Sequence, residues 1–266
     1  MSSAQSNNLI INQLGPRPEK RIAIVGGCGG IGRTLVSQCL SSGLKVAVLD
    51  LPQSLAKHPP PKECLVFHLD ATDELQVTKK FSNLDSAWNG LDAMVNLCGF
   101  SDTFINTSEM SSDTWNNVIE GNLKAAFLCA KFAIPLLLKA ETSAIVNFSS
   151  GLAYKGVSGT AAYGAAKAGV IALSKSLATE NAPSIRVNVI APGAVDTEFL
   201  YGGTGRNHTT KNPKAHVNIN HYKKTIPFGR LATPQDVSGP TLFLCGDASR
   251  FITGQVIHIN GGGYMP

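Results

Sequence analysis

The chain alternates continuous apolar runs with stretches of helical period, and this alternation narrows the choice of fold more than any other feature. "RIAIVG" (21–26), "KVAVLD" (45–50), "CLVFHLD" (64–70), "LDAMVNL" (91–97), "SAIVNFSS" (143–150), "IRVNVIAPG" (185–193) and "QVIHIN" (255–260) read as strands. Such runs belong to strands covered on both faces, as in parallel sheets. Between them, helices are expected at 30–43 ("GIGRTLVSQCLSSG"), 73–88, 113–139, 162–180 and 234–246. The implied architecture is α/β: a single Rossmann-type doubly wound domain whose seven-stranded parallel sheet is flanked by helices on both faces. It is expected to occupy residues 20–266, after a flexible N-terminal leader at 1–19.

Two segments interrupt the rhythm. "LPQSLAKHPPPKE" (51–63) is too short and Pro-rich for more than one or two helical turns. The stretch from about 198 to 226 shows neither strand nor helix period and exceeds ordinary connection lengths, the pattern of a substrate lid.

Composition removes whole classes of function. With 43% apolar and 15% charged residues, the chain is neither disordered nor a coiled coil. No apolar run approaches the roughly 20 residues that span a bilayer, and the N-terminus lacks the pattern of a secretory signal. A net charge of +5 without a basic, aromatic-studded face does not suggest nucleic acid. The six cysteines form no Cys-x-x-Cys pair and no metal-ligand spacing, so no metal is expected. They read as buried free thiols, and the expected location is the cytoplasm.

Gly26, Gly30 and Gly32 fall between the first strand and the first helix. Glycine there permits a tight turn and close backbone approach, while the helix N-terminus offers free N–H groups to a pyrophosphate. Asp50 closes the second strand, where a carboxylate can accept hydrogen bonds from both ribose hydroxyls and repels a 2′-phosphate. Arg33, just after Gly32, is the one basic residue that complicates this preference. NAD is the expected cofactor, with NADP less favoured.

"AAYGAAKAG" (161–169) sets Tyr163 and Lys167 four residues apart among very small side chains. By itself the pair could be a packing Tyr and a solvated Lys. With the cofactor features in place, however, the chain resembles the short-chain dehydrogenases/reductases from about residue 20 onward. The family's glycine pattern matches Gly26, Gly30 and Gly32, with Val25 where a Thr is usual. "HLDATD" resembles the adenine-contacting segment, through Asp70 and Ala71. "VNLCG" (95–99) stands where Asn-Asn-Ala-Gly is typical, so Asn96 and Gly99 match while Leu97 and Cys98 depart. "APGAVDT" resembles the loop that holds the nicotinamide carboxamide, through Pro192, Gly193, Val195 and Thr197. Ile31 and Leu51 complete the implied cofactor contacts, to which Tyr163 and Lys167 also belong.

The resemblance implies a catalytic set of Asn122, Ser150, Tyr163 and Lys167. Free Tyr titrates near 10, too high for a base at neutral pH, and a nearby cation favours phenolate. Lys167 shares a helix face with Tyr163. Ser150, thirteen residues before Tyr163, would hold the substrate oxygen. Asn122 is expected to anchor a water in a proton path past Lys167, or simply to satisfy buried backbone. Ser149 should point to the other side of its strand. His58, His68 and His258 read as structural or exposed.

The expected reaction is NAD-dependent interconversion of a secondary alcohol and a ketone. An NADPH-dependent 3-oxoacyl-type reductase is the alternative within the family, and a non-catalytic dinucleotide sensor the alternative outside it. Residues 201–225 carry Arg206, Lys211, Lys214, Lys223 and Lys224 without an Asp or Glu. That segment is either a solvated loop or a cover that attracts an anionic substrate. A homotetramer, built through the helices near 113–139 and 162–180 and the C-terminal segment, is expected from the resemblance.

Overall fold

The computed structural model describes residues 14–101, 104–201, 203 and 219–266. Seven strands, β1 (Arg21–Val25), β2 (Lys45–Asp50), β3 (Leu65–His68), β4 (Ala93–Asn96), β5 (Ser143–Phe148), β6 (Ile185–Pro192) and β7 (Val256–Ile259), form one parallel sheet. Their spatial order is β3-β2-β1-β4-β5-β6-β7. The order reverses between β1 and β4, the topological switch point at which doubly wound sheets open a crevice.

The helices are α1 (Gly30–Ser41), α2 (Pro52–Lys57), α3 (Glu74–Trp88), α4 (Ser112–Ile119), α5 (Ala125–Leu137), α6 (Ala161–Asn181), α7 (Ile219–Thr225) and α8 (Pro234–Cys245). On one sheet face, Val77, Phe81 and Leu84 of α3 pack with the buried side of α5 and with Leu177 of α6. On the other face, Leu35 and Val36 of α1 and Val237 and Leu244 of α8 cover Ile22, Ile24, Val46 and Val48. Both sides of the central strands are therefore dry, as their unbroken apolar runs require. Among the described residues no helix is long and apolar enough to cross a membrane.

Three differences from the sequence reading stand out. The expected helix at 113–139 is interrupted by a π turn at Glu120–Lys124, between α4 and α5. The segment 198–226 contains structure without a readable period: a 3₁₀ turn at Glu198–Tyr201 and the short α7. The last residues of the stretch read as a leader pack against the domain. Pro16 is buried, and the Arg17 guanidinium pairs with Asp247 at 3.0 Å.

At the opposite edge of the sheet from the crevice, Asp92 ties β1 to β4. Its carboxylate accepts from the Arg21 backbone N–H (2.9 Å), Arg21 Nε (2.7 Å) and Lys20 Nζ (2.9 Å). Burial pushes the Asp92 carboxyl upward, but the Arg21 and Lys20 donors outweigh it and hold the group below its ordinary range. Asp92→Asn should cost about 2 kcal/mol, read as a lower urea midpoint at unchanged m-value. Because the folded carboxyl is depressed, this difference is full above the ordinary carboxylate range near pH 4 and is lost as pH falls through the folded value.

Candidate active site

The crevice at the switch point is built from the ends of β1 and β4. Gly26 adopts φ +81°, and a Cβ there would lie 3.1 Å from the Leu97 carbonyl carbon, so the turn requires glycine. The N-cap of α1, Gly29, supplies no side-chain cap, and no acidic residue stands in the first turn. The first N–H groups of α1 are thus left for an anion. A Cβ on Gly30 would meet Thr197 Cγ2 at 2.6 Å, which brings the loop after β6 directly over this helix start. Ile31 is half-buried and Gly32 buried in the same turn.

Asp50 closes β2 with a buried carboxylate. Oδ2 accepts from Cys28 N and Oδ1 from Leu51 N, each at 2.8 Å, and Ser54 adds a side-chain hydrogen bond. Burial raises the carboxyl above its usual range against these donors. Asp70 follows β3 and accepts from Thr72 N (3.0 Å) and Thr72 Oγ1 (2.7 Å), and Ala71 is buried in the core.

Asn96 closes β4, and its Oδ1 accepts from Cys98 N at 3.0 Å. The turn is held although Leu97 and Cys98 depart from the family's pattern. Gly99 (φ +152°) has no room for a side chain, because a Cβ there would strike Asn122 Oδ1 and Lys167 Nζ. Past β6, Gly193 N donates to Ile259 O at 2.9 Å, and Val195 bridges to Ala232. Pro192 ends β6, and Thr197 Oγ1 turns back to Val195 O at 3.4 Å. An uncapped helix start, a buried carboxylate one peptide away and a third loop closing over them together fit a dinucleotide.

The four residues that the resemblance implies as catalytic converge beside this crevice. Ser150 follows the end of β5, where its Oγ accepts from Leu152 N at 3.2 Å and its hydroxyl also bonds to Tyr163. Tyr163 and Lys167 lie on the buried face of α6, with the ammonium 5.6 Å from the phenol ring centroid. Lys167 Nζ donates to Phe148 O (3.0 Å), at the end of β5, and to Cys98 O (3.4 Å), two residues past β4. Ser149 is buried, and its Oγ donates to the Lys167 backbone O at 2.8 Å.

Asn122 sits in the π turn, where Nδ2 donates to Phe100 O and Val118 O, each at 2.9 Å. Among the described residues, its buried Oδ1 has no hydrogen-bond partner. The amide nitrogen thus satisfies backbone, and the oxygen faces the Lys167 side of Gly99.

The electrostatics correct one expectation. Burial pushes the Tyr163 phenol above its ordinary value, with the Ser150 hydrogen bond opposing, and it pushes the Lys167 ammonium down to about 8. Lys167 alone does not turn the phenol into a base in the cofactor-free site, because desolvation penalises both charged forms.

Several contacts were not foreseen from the sequence. Phe199 approaches Tyr163 with ring centroids 6.2 Å apart. His258 Nδ1 lies 2.7 Å from Tyr264 Oη, and the Tyr264 ring stands 2.5 Å from where a Gly151 Cβ would be, next to Ser150. Arg206 and Lys211, the expected lid contacts, lie outside the described residues. All six cysteines are free thiols.

A family model described as Enoyl-(Acyl carrier protein) reductase matches residues 26–264. The 3-oxoacyl-(acyl-carrier-protein) reductase of Salmonella typhimurium is 31% identical over 253 residues, covering 93% of this chain and 98% of its own. The 2-(S)-hydroxypropyl-CoM dehydrogenase 3 of Xanthobacter autotrophicus is 29% identical over 248 residues, covering 91% and 95%. The solved structure of a glucose/ribitol dehydrogenase of the short-chain type from Brucella melitensis matches with a TM-score of 0.82 at 28% identity, covering 95% of this chain and 99% of that one.

A buried ammonium held only by carbonyls has a measurable consequence. Lys167→Met should raise the stability of the cofactor-free protein by about 1–3 kcal/mol at neutral pH. The folded value near 8 lies below the ordinary 10.5, so the gain is full below about pH 8 and fades as pH rises toward 10.5. Thermal melts of both proteins between pH 7 and pH 10 measure it.

Proposed function

Because this chain belongs to the short-chain dehydrogenase/reductase family of nicotinamide-dinucleotide oxidoreductases, we propose that it interconverts a secondary alcohol and a ketone with NAD(H). The observation that carries the reading is the pairing of two arrangements. Ser150, Tyr163 and Lys167 converge at one end of the crevice, and the Asp50 carboxylate, bonded to the Cys28 N–H, stands at the other.

Gly26, Gly30, Ile31 and Gly32 hold the pyrophosphate, Asp50 and Leu51 the adenosine ribose, and Asp70 and Ala71 the adenine. Asn96, Gly99, Pro192, Gly193, Val195 and Thr197 line the nicotinamide side. A bound nicotinamide dinucleotide supplies or accepts the hydride and, when oxidised, adds positive charge beside the phenol. Ser150 holds the reacting oxygen, and Tyr163 Oη exchanges its proton. The Lys167 ammonium favours the phenolate form and contacts the cofactor ribose. Asn122 Oδ1, lacking a protein partner, accepts from water in the path that returns protons to Tyr163.

A second reading is reduction of a 3-oxoacyl group with NADPH. The names of relatives such as the Salmonella reductase favour its substrate half. Asp50 weighs against its cofactor half, since a buried carboxylate and a 2′-phosphate repel each other. The two halves are separable, and an NADH-using 3-oxoacyl reductase is consistent with both observations. Arg206 and Lys211 would suit an anionic substrate, the class to which the CoM conjugate in the Xanthobacter relative's name also belongs. We propose assembly as a homotetramer through α4, α5, α6 and the C-terminal segment, with Trp115 and Phe127 exposed on α4 and α5.

Fluorescence titration should give tighter binding of NADH than of NADPH, and tighter NADPH binding would overturn the cofactor reading. The same assay format, run on size-matched neutral and anionic alcohols and ketones including a 3-oxoacyl thioester, separates the substrate readings. Tyr163→Phe should retain NADH binding and lose turnover by about a hundredfold to ten-thousandfold.

A further inference from the structure

Glu198 opens the 3₁₀ turn that follows the nicotinamide loop, and its one carboxylate engages basic side chains from two other segments. His58 Nε2 lies 3.1 Å from Oε1 and 3.2 Å from Oε2. Lys57 Nζ, at the end of α2, lies 3.5 Å from Oε1, and Arg33 Nη1, in the first turn of α1, lies 3.4 Å from Oε2. Burial raises the Glu198 carboxyl, but His58, Lys57 and Arg33 together outweigh it and leave the group below its ordinary value.

The position of these cations matters more than the strength of any one pair. Arg33 Nη1 also donates to Cys28 O at 2.8 Å, and the N–H of the same Cys28 donates to Asp50 Oδ2 at 2.8 Å. A single residue therefore separates the Asp50 carboxylate from the Arg33 guanidinium. α2 begins two residues after Asp50 and ends at Lys57, with His58 as its C-cap. All three basic side chains thus belong to the segments that frame the ribose end of the crevice.

A dianionic 2′-phosphate placed beside Asp50 would need such cations, and Arg is the side chain best shaped to bind it. Here they already face a carboxylate from across the crevice. We propose that Glu198 is a specificity-determining residue, which occupies Arg33, Lys57 and His58 and so withholds from NADP(H) the counter-charge that its 2′-phosphate requires. The inference rests on the reading of Asp50 as the ribose ligand. Asp50 disfavours the phosphate by direct repulsion, and Glu198 does so by taking its partners.

The test compares NADH and NADPH dissociation constants, by nucleotide fluorescence, for wild type, Glu198→Gln and Glu198→Gln/Arg33→Ala, with folding checked by circular dichroism. Glu198→Gln should tighten NADPH relative to NADH by about tenfold at low salt. The gain should shrink as ionic strength rises and disappear in the double variant. An unchanged NADPH-to-NADH ratio, or equal changes for both nucleotides, overturns the proposal. So does a gain that survives removal of Arg33. A wild-type protein that already prefers NADPH refutes the NAD reading of Asp50, while the direction of the change in Glu198→Gln still judges Glu198 by itself.

Discussion

All seven strands point the same way, and this common direction places every functional loop on one edge of the sheet. Gly26 follows β1, Asp50 closes β2, Asp70 follows β3, Asn96 closes β4, Ser150 follows β5 and Pro192 closes β6. The ladder fixes how far apart these ends stand, with Val25 opposite Asn96 and Asn96 opposite Asn147. A slip of one residue in any strand would invert its side chains and remove one wall of the crevice. The two dry faces that keep the strands in register thus also set the distance from the glycine-rich turn after β1 to α6.

Charge on that edge is arranged by kind of partner. Lys167 is buried against carbonyls rather than a carboxylate, so its field is not cancelled where the reacting oxygen would lie. Asp50 is buried against backbone N–H groups, which spread its charge without neutralising it. Glu198, less buried than either, meets opposite charge directly. Buried charges held by backbone dipoles act on a ligand, whereas paired ones act mainly on each other.

The fold and most of the site were legible because both write themselves into local sequence. Continuous apolar runs marked the strands, and the spacing of Tyr163 and Lys167 on one helix turn marked the candidate catalytic face. The resemblance added Asn122, Ser150 and the carboxamide loop. What escaped depends on contacts between distant segments. Glu198 lies 140 residues from His58 and 165 from Arg33, and no local pattern links them. The α7 helix is a single short element of seven residues, too brief to display a period. The rise in the Tyr163 pKa follows from burial by Phe199 and the surrounding core, which spacing along one helix cannot report.

The π turn at Glu120–Lys124 has a further meaning. It holds one residue more per hydrogen-bonded loop than the α-helices on either side, so α4 and α5 are out of phase with each other. Asn122 owes its direction to that offset. Shortening the segment by one residue would restore a regular helix and improve its hydrogen bonding, yet would swing the following positions through about 100°. Local regularity and the placement of Asn122 are opposed here, and lineages that keep this placement should vary the composition of residues 112–137 far more freely than their number.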